Sequence, residues 1–305
     1  MTAHPHGPTF LVAGAARAGS TAVVEALRSH PDVFVTLPKE PHFFALGGTT
    51  PAFTGPGDDA TINRESITDR DRYLALYPGD GRYLARGEGS VSTLYYAERS
   101  IPAIEELAPD ARIVIVLRDP VNRAFSSYQY LKVRGFEPED DFLAAVDDEA
   151  RRRELGWHHL WHYTGMSHYA DDVKAFLEAF GDRVGVWFHD ELESDPVTTI
   201  TSIQTFIGVD PARSPITEVQ RVNASGRAKV PALQSAIQWG GRQAAVRSTV
   251  KKIVPFSVRE KIRGANLVPQ GADPVIREAL LPRFADDLQR LEAVLARPVP
   301  ATWKS

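Results

Sequence analysis

The chain of 305 residues holds 22 glycines, 22 prolines and no cysteine; at 24% charged and 43% hydrophobic it is an ordinary globular sequence, neither collagenous nor disordered. The missing cysteine excludes disulfides, thiolate zinc sites and thiol nucleophiles, and suits a reducing, cytoplasmic setting. A net charge of −4, from 35 Lys+Arg against 39 Asp+Glu, lacks the basic excess of a nucleic-acid binder, and no apolar run approaches the roughly 20 residues of a transmembrane helix.

In chain order, residues 9–13 (Thr9-Phe-Leu-Val-Ala13) form the first strand, short and continuously apolar as in a parallel sheet covered on both faces. A Gly/Ala/Ser turn follows, then a helical pattern over 20–29. Residues 46–70 are weakly periodic and rich in Pro, Gly and Thr, which predicts a mobile loop over a sheet edge. The second strand, 111–117, runs into Arg118-Asp-Pro120 and a helix over 121–131. An amphipathic helix over 169–180 precedes a third strand over 184–188. The last helix, 274–295, sets Leu280, Phe284, Leu288 and Leu291 at helical spacing and is read as a packing helix. Three Asp-Pro pairs, at 119–120, 195–196 and 273–274, mark helix starts. There the aspartate caps free N–H groups, and proline's missing donor costs nothing in the first turn. Alternating strands and helices predict an α/β doubly wound parallel sheet, and with no interdomain linker the chain reads as one domain over 1–305.

The turn Gly14-Ala-Ala16-Arg17-Ala18-Gly19-Ser20-Thr21 sits between a strand and a helix. Small residues let successive N–H groups converge at the positive end of a helix dipole, which makes an anion cradle. Ser20 and Thr21 add hydroxyls and Arg17 a full charge. Gly14 and Gly19 have Walker A spacing, but Ser20 stands where that motif has lysine. Arg118 lies at the carboxyl end of a central strand, where open α/β sheets bind ligands. Beyond it Asn122, Ser126 and Tyr130 recur every four residues as a polar stripe. The plainer alternative there is an Arg118–Asp119 surface pair, with Ser126 bonded back to its own helix.

Further segments follow in order: Ser29-His-Pro-Asp-Val33, Pro38-Lys39-Glu40-Pro-His42-Phe-Phe44, the strand and helix of Arg112 to Ser126, and Asn223-Ala-Ser-Gly226-Arg227. Together they resemble the sulfotransferases that use 3′-phosphoadenosine 5′-phosphosulfate (PAPS), the heparan-sulfate and tyrosylprotein types included. The resemblance implies a P-loop-like three-layer fold with a central parallel sheet, a nucleotide-binding core over about 9–230 and a C-terminal helical region over about 231–305. It implies PAPS as co-substrate, 3′,5′-adenosine bisphosphate (PAP) as product, a small-molecule or carbohydrate acceptor and no metal. By the same likeness Ala16, Arg17, Ala18, Gly19, Ser20 and Thr21 would hold the 5′-phosphosulfate. Arg118 and Ser126 would hold the 3′-phosphate, and Gly226 and Arg227 would close on the nucleotide. Glu40 or His42 would take the proton of the acceptor, with Arg17 stabilising the leaving group.

Two departures stand out. Many relatives carry lysine in the first loop where this chain has Arg17. Some glycan-modifying relatives carry an active-site lysine directly after the glutamate of the next strand, where Glu88 is here followed by Gly89; Lys39, beside Glu40, is the candidate to replace it. Two rival readings stand beside it: a P-loop kinase or nucleotide hydrolase, and a non-catalytic nucleotide-binding protein of the same fold. His158 and His162, four apart, raise a metal site but lack the glutamate of a HExxH motif. Their aromatic run, 156–163, is read as acceptor lining or as core.

Overall fold

The computed structural model describes residues 7–79, 81–214 and 271–305, and the backbone alone of 226–228 and 267–269. Five strands, β1 (Phe10–Gly14), β2 (Val33–Val35), β3 (Ala85–Glu88), β4 (Arg112–Leu117) and β5 (Val184–Phe188), form one parallel sheet in the order β2-β3-β1-β4-β5. The middle strand β1 pairs Phe10 and Leu11 with Gly87 and Glu88 of β3, and Phe10, Leu11 and Val12 with Arg112, Ile113 and Val114 of β4. All of β1 is buried, and in β4 only Arg112 is exposed. Such unbroken burial is what a parallel sheet covered on both faces requires.

Helices cover both faces, which makes the fold three-layered and P-loop-like. From β1 the chain crosses toward β2 through the helix Ser20–Arg28; from β3 it crosses the other way to β4 through Ala97–Leu107. Right-handed crossovers in opposite directions put these helices on opposite faces. Pro196–Phe206 packs on Ser20–Arg28, and Ala170–Phe180 joins Ala97–Leu107 and the C-terminal helix Pro274–Leu295. The reversal falls between β1 and β4, so their carboxyl ends frame the crevice in which such sheets bind ligands.

The three strands expected from apolar runs are present within a residue or so, and the helices expected after the first two and before the third are present within two residues. All three Asp-Pro caps form: Asp119 accepts from Asn122 N, Asp195 from Thr198 N and Asp273 from Ile276 N. Two further strands are too short or too polar to stand out as apolar runs. β2 has three residues, and β3 reads Ala-Arg-Gly-Glu, with its glycine imposed by β1: a Cβ on Gly87 would fall 2.5 Å from Phe10 O. The 46–70 stretch, expected as a loop over a sheet edge, is anchored inward through Asp58. That carboxylate, 1% exposed, accepts from Gly55 N, His158 N and Trp161 Nε1 and bonds the His158 ring. Residues 231–266 of the expected C-terminal helical region lie outside the described residues, whereas Pro274–Leu295 is a 22-residue helix.

Candidate active site

After β1 the backbone turns sharply, with Arg17 (φ 65°) and Gly19 (φ 97°) both left-handed. Gly19 is the N-cap of the helix Ser20–Arg28; it supplies no side-chain cap, and the first turn holds no acid. The helix therefore turns N–H groups and the positive end of its dipole outward, uncompensated by any capping carboxylate. A Cβ on Gly19 would fall 2.9 Å from Leu192 Cδ2 and 3.1 Å from His189 Nδ1, so the residues after β5 wall the cradle and require glycine.

The turn after β4 meets this one. Arg118 Nη1 donates to Arg17 O at 2.9 Å, and Arg17 Nε donates to Ser126 Oγ at 3.2 Å. The Arg17 guanidinium also lies 4.5 Å from the centre of the Tyr130 ring. Ser126 and Tyr130 of the polar stripe thus face the first turn. The alternative Arg118–Asp119 surface pair is not what Asp119 makes: its carboxylate caps Asn122 N at 2.7 Å and pairs with Arg277 at 2.8 Å. Arg118 is half-buried, and burial presses its pKa down against the pull of Glu193 and Tyr169.

The third part comes from the loop after β2. Lys39 Nζ is 2.6 Å from Glu40 Oε1 and donates to Thr21 Oγ1 at 3.1 Å, which ties the acid to the first cradle. Glu40 Oε2 is 3.8 Å from His42 Nε2, and His42 Nδ1 bonds Ser92 Oγ at 2.8 Å. The left-handed backbone of His42 (φ 58°) is held by its N–H donating to Ser90 Oγ at 2.9 Å. Ser90 in turn donates through N and Oγ to Glu88 Oε2, both at 2.6 Å. Burial raises the Glu40 pKa, but Lys39, His42 and Arg17 outweigh it and the net shift is downward. Burial drives His42 the other way for a base, down to about 4, with Glu40 opposing. Near neutral pH this is an ionised carboxylate beside a neutral imidazole.

Sequence reading did not pick out Ser90, Ser92 or His189. For His189 the readable signal is position, directly after the carboxyl end of the strand Val184–Phe188, the edge where ligands gather; Ser90 and Ser92 follow β3, which has no strand pattern of its own. Gly226 stands in a short strand, Gly226–Ala228, paired antiparallel with Leu267–Pro269 where a loop was expected; residues 223–225 and the Arg227 side chain lie outside the described residues. His158 and His162 part company: one bonds Asp58, and the other bonds Tyr95 OH through Nδ1 at 2.8 Å. Among the described residues no three His, Asp or Glu side chains are grouped to hold a metal. Trp161 and Tyr163 of the aromatic run are core, both 0% exposed.

Residues 8–213 match the model of the sulfotransferase family, which covers well over half of the sequence. The chain belongs to this family. Among known proteins it is 28% identical over 205 residues to human heparan sulfate glucosamine 3-O-sulfotransferase 3B1, covering 66% of this chain and 46% of that protein. With human heparan sulfate glucosamine 3-O-sulfotransferase 6 it is 30% identical over 219 residues, covering 66% and 52%. The chain thus spans about half the length of these relatives. A solved sulfotransferase of Alicyclobacillus acidocaldarius matches the whole fold, with 29% identity, a TM-score of 0.74 and coverage of 98% of this chain and 99% of that one. Among the described residues no helix is long and apolar enough to cross a membrane.

Proposed function

We propose that this sulfotransferase-family protein moves a sulfuryl group from PAPS to a hydroxyl or amine of a carbohydrate or small-molecule acceptor. The observation that carries the reading is the Arg118–Arg17 contact of 2.9 Å, which brings together two turns, one after each of the neighbouring strands β1 and β4. One nucleotide with phosphates at both ends spans such a pair. The 5′-phosphosulfate takes the N–H groups from Ala18 to Thr21, and the 3′-phosphate takes Arg118 and Ser126. Arg17, lying between them, answers whichever end gains charge.

Sulfuryl transfer, treated by analogy with phosphoryl transfer, needs little covalent work from a protein; it needs alignment and donors aimed at the leaving phosphate oxygen. Glu40 is the base, because it is ionised where His42 is neutral and only partly buried, open to an acceptor. Its help, of the order of 10²–10⁴-fold, comes as the acceptor oxygen bonds sulfur. His42, fixed by Ser92, orients Glu40. A P-loop kinase needs a lysine where Ser20 stands, and no feature of the site favours it. A cytoplasmic location belongs to the same proposal and rests on the cysteine-free composition alone.

The test is thermal denaturation with PAP, adenosine 5′-phosphate, ATP, and ATP with magnesium, since a ligand of the native state raises its stability by mass action. PAP is expected to give the largest shift at equal concentration. A larger shift with ATP and magnesium would transfer the protein to the kinase reading.

A further inference from the structure

Lys39 stands between the two halves of the proposed site. Its ammonium contacts Glu40 Oε1 at 2.6 Å and Thr21 Oγ1 at 3.1 Å, and its side chain is only 16% exposed. Thr21 belongs to the first turn of the helix whose N-terminus forms the cradle, so a single ammonium touches both the acid and the anion site. The backbone fixes where this lysine starts: Gly89 N donates to Lys39 O at 3.0 Å. The end of β3 has no room for a cation of its own. A Cβ on Gly89 would fall 2.6 Å from Val24 Cγ2 and 3.7 Å from Lys39 Cγ, so the stem of Lys39 runs across the space above the glycine.

We propose that Lys39 is the cation shared by base and cradle: it orients Glu40 and keeps it ionised before transfer, then faces the sulfuryl oxygens held beside Thr21. This inference rests on the sulfotransferase reading. In the step it serves, the acceptor proton passes to Glu40 and the acceptor oxygen bonds sulfur. The bond from sulfur to the 5′-phosphate oxygen breaks, and its electron pair stays on the phosphate of PAP. Glu40 loses its charge as it takes the proton. The ammonium is thereby released from its ion pair at the moment negative charge gathers on the leaving phosphate oxygen held in the cradle beside Thr21, where a preset charge stabilises most.

The charged and titratable groups that act on Glu40 are Lys39, His42, Arg17 and the buried Glu88. Without the ammonium, the acid keeps only a neutral imidazole and the more remote Arg17, because the buried Glu88 is protonated where Glu40 titrates. An opposite charge in contact moves a carboxyl by about 1–3 pH units. Titration of Glu40 by NMR, with glutamate labelled at the carboxyl carbon and the signal assigned by its loss in Glu40→Gln, reads this directly. In Lys39→Met the midpoint should rise by at least about one pH unit, and Lys39→Arg should restore most of it. With labelled PAPS and water as acceptor, PAP release should fall about 100-fold in Lys39→Met, the usual scale for one lost charge donor. An unmoved Glu40 midpoint, or PAP released at the parent rate, overturns the proposal. Failure of PAP to bind the parent protein would instead overturn the sulfotransferase reading, while the titration still reports on the ion pair.

Discussion

Glu88 is fully buried at the end of β3, with Oε2 held by Ser90 and Oε1 lacking a hydrogen-bond partner. Burial raises its pKa from 4.5 to about 8, only partly countered by the Ser90 bonds. The folded chain therefore keeps a proton that the unfolded chain sheds between those two values. The stability linked to this group is whole below about pH 4.5, declines as pH rises at up to about 1.4 kcal/mol per unit, and levels off above about pH 8. Glu88→Gln keeps an acceptor for Ser90 and cannot ionise. Urea denaturation at pH 5, 7 and 9 should show the variant gaining on the parent by several kcal/mol across that range. A difference that stays constant with pH would mean the carboxyl is not buried in its charged state. The acid itself was quotable from the sequence, but its role was not. Ala-Arg-Gly-Glu has no strand pattern, and only pairing with β1 drives Glu88 inside and places Ser90 under His42.

Among the helices, local signals were readable and distant ones were not. Asp119, Asp195 and Asp273 cap the helices they directly precede, so a cap and its helix share one stretch of sequence. The helix Ala170–Phe180 has no such neighbour. Its start is held by Asp287 of the C-terminal helix, which accepts from Tyr169 N at 2.8 Å, 118 residues away, and from Ala170 N at 3.2 Å. In the sequence Asp287 is a polar interruption on a helix read as mere packing; in the fold it is 2% exposed and docks one helix on another. Asp287→Ala leaves two buried N–H groups without that acceptor and should cost about 2–3 kcal/mol, whereas Asp287→Asn, which keeps one acceptor oxygen, should cost clearly less. Chemical denaturation of both variants checks this. Equal losses would assign the effect to the charge and its Arg290 contact, not to the cap.

At the scale of the whole molecule, function depends on two turns 101 residues apart in sequence becoming neighbours because β1 pairs with β4. Each turn was legible by itself: glycines and small residues after one apolar strand, and Arg-Asp-Pro after another. Their contact was implied by the family likeness, while the third part, Lys39 and Glu40, is delivered by the two strands that the apolar pattern did not reveal. Arg118 has two duties in this arrangement, holding the Arg17 carbonyl and, in the proposed site, receiving the 3′-phosphate. Replacing it by methionine separates them, because adenosine 5′-phosphate uses the first turn but brings nothing to the second. A charge-assisted hydrogen bond of about 1.5–3 kcal/mol lost at the 3′ end amounts to roughly a 10- to 150-fold weaker PAP complex. Calorimetry on Arg118→Met should find that loss for PAP and no more than about a threefold loss for adenosine 5′-phosphate. If both ligands weaken alike, Arg118 only shapes the first turn, and the clasp on the nucleotide's far end must come from elsewhere.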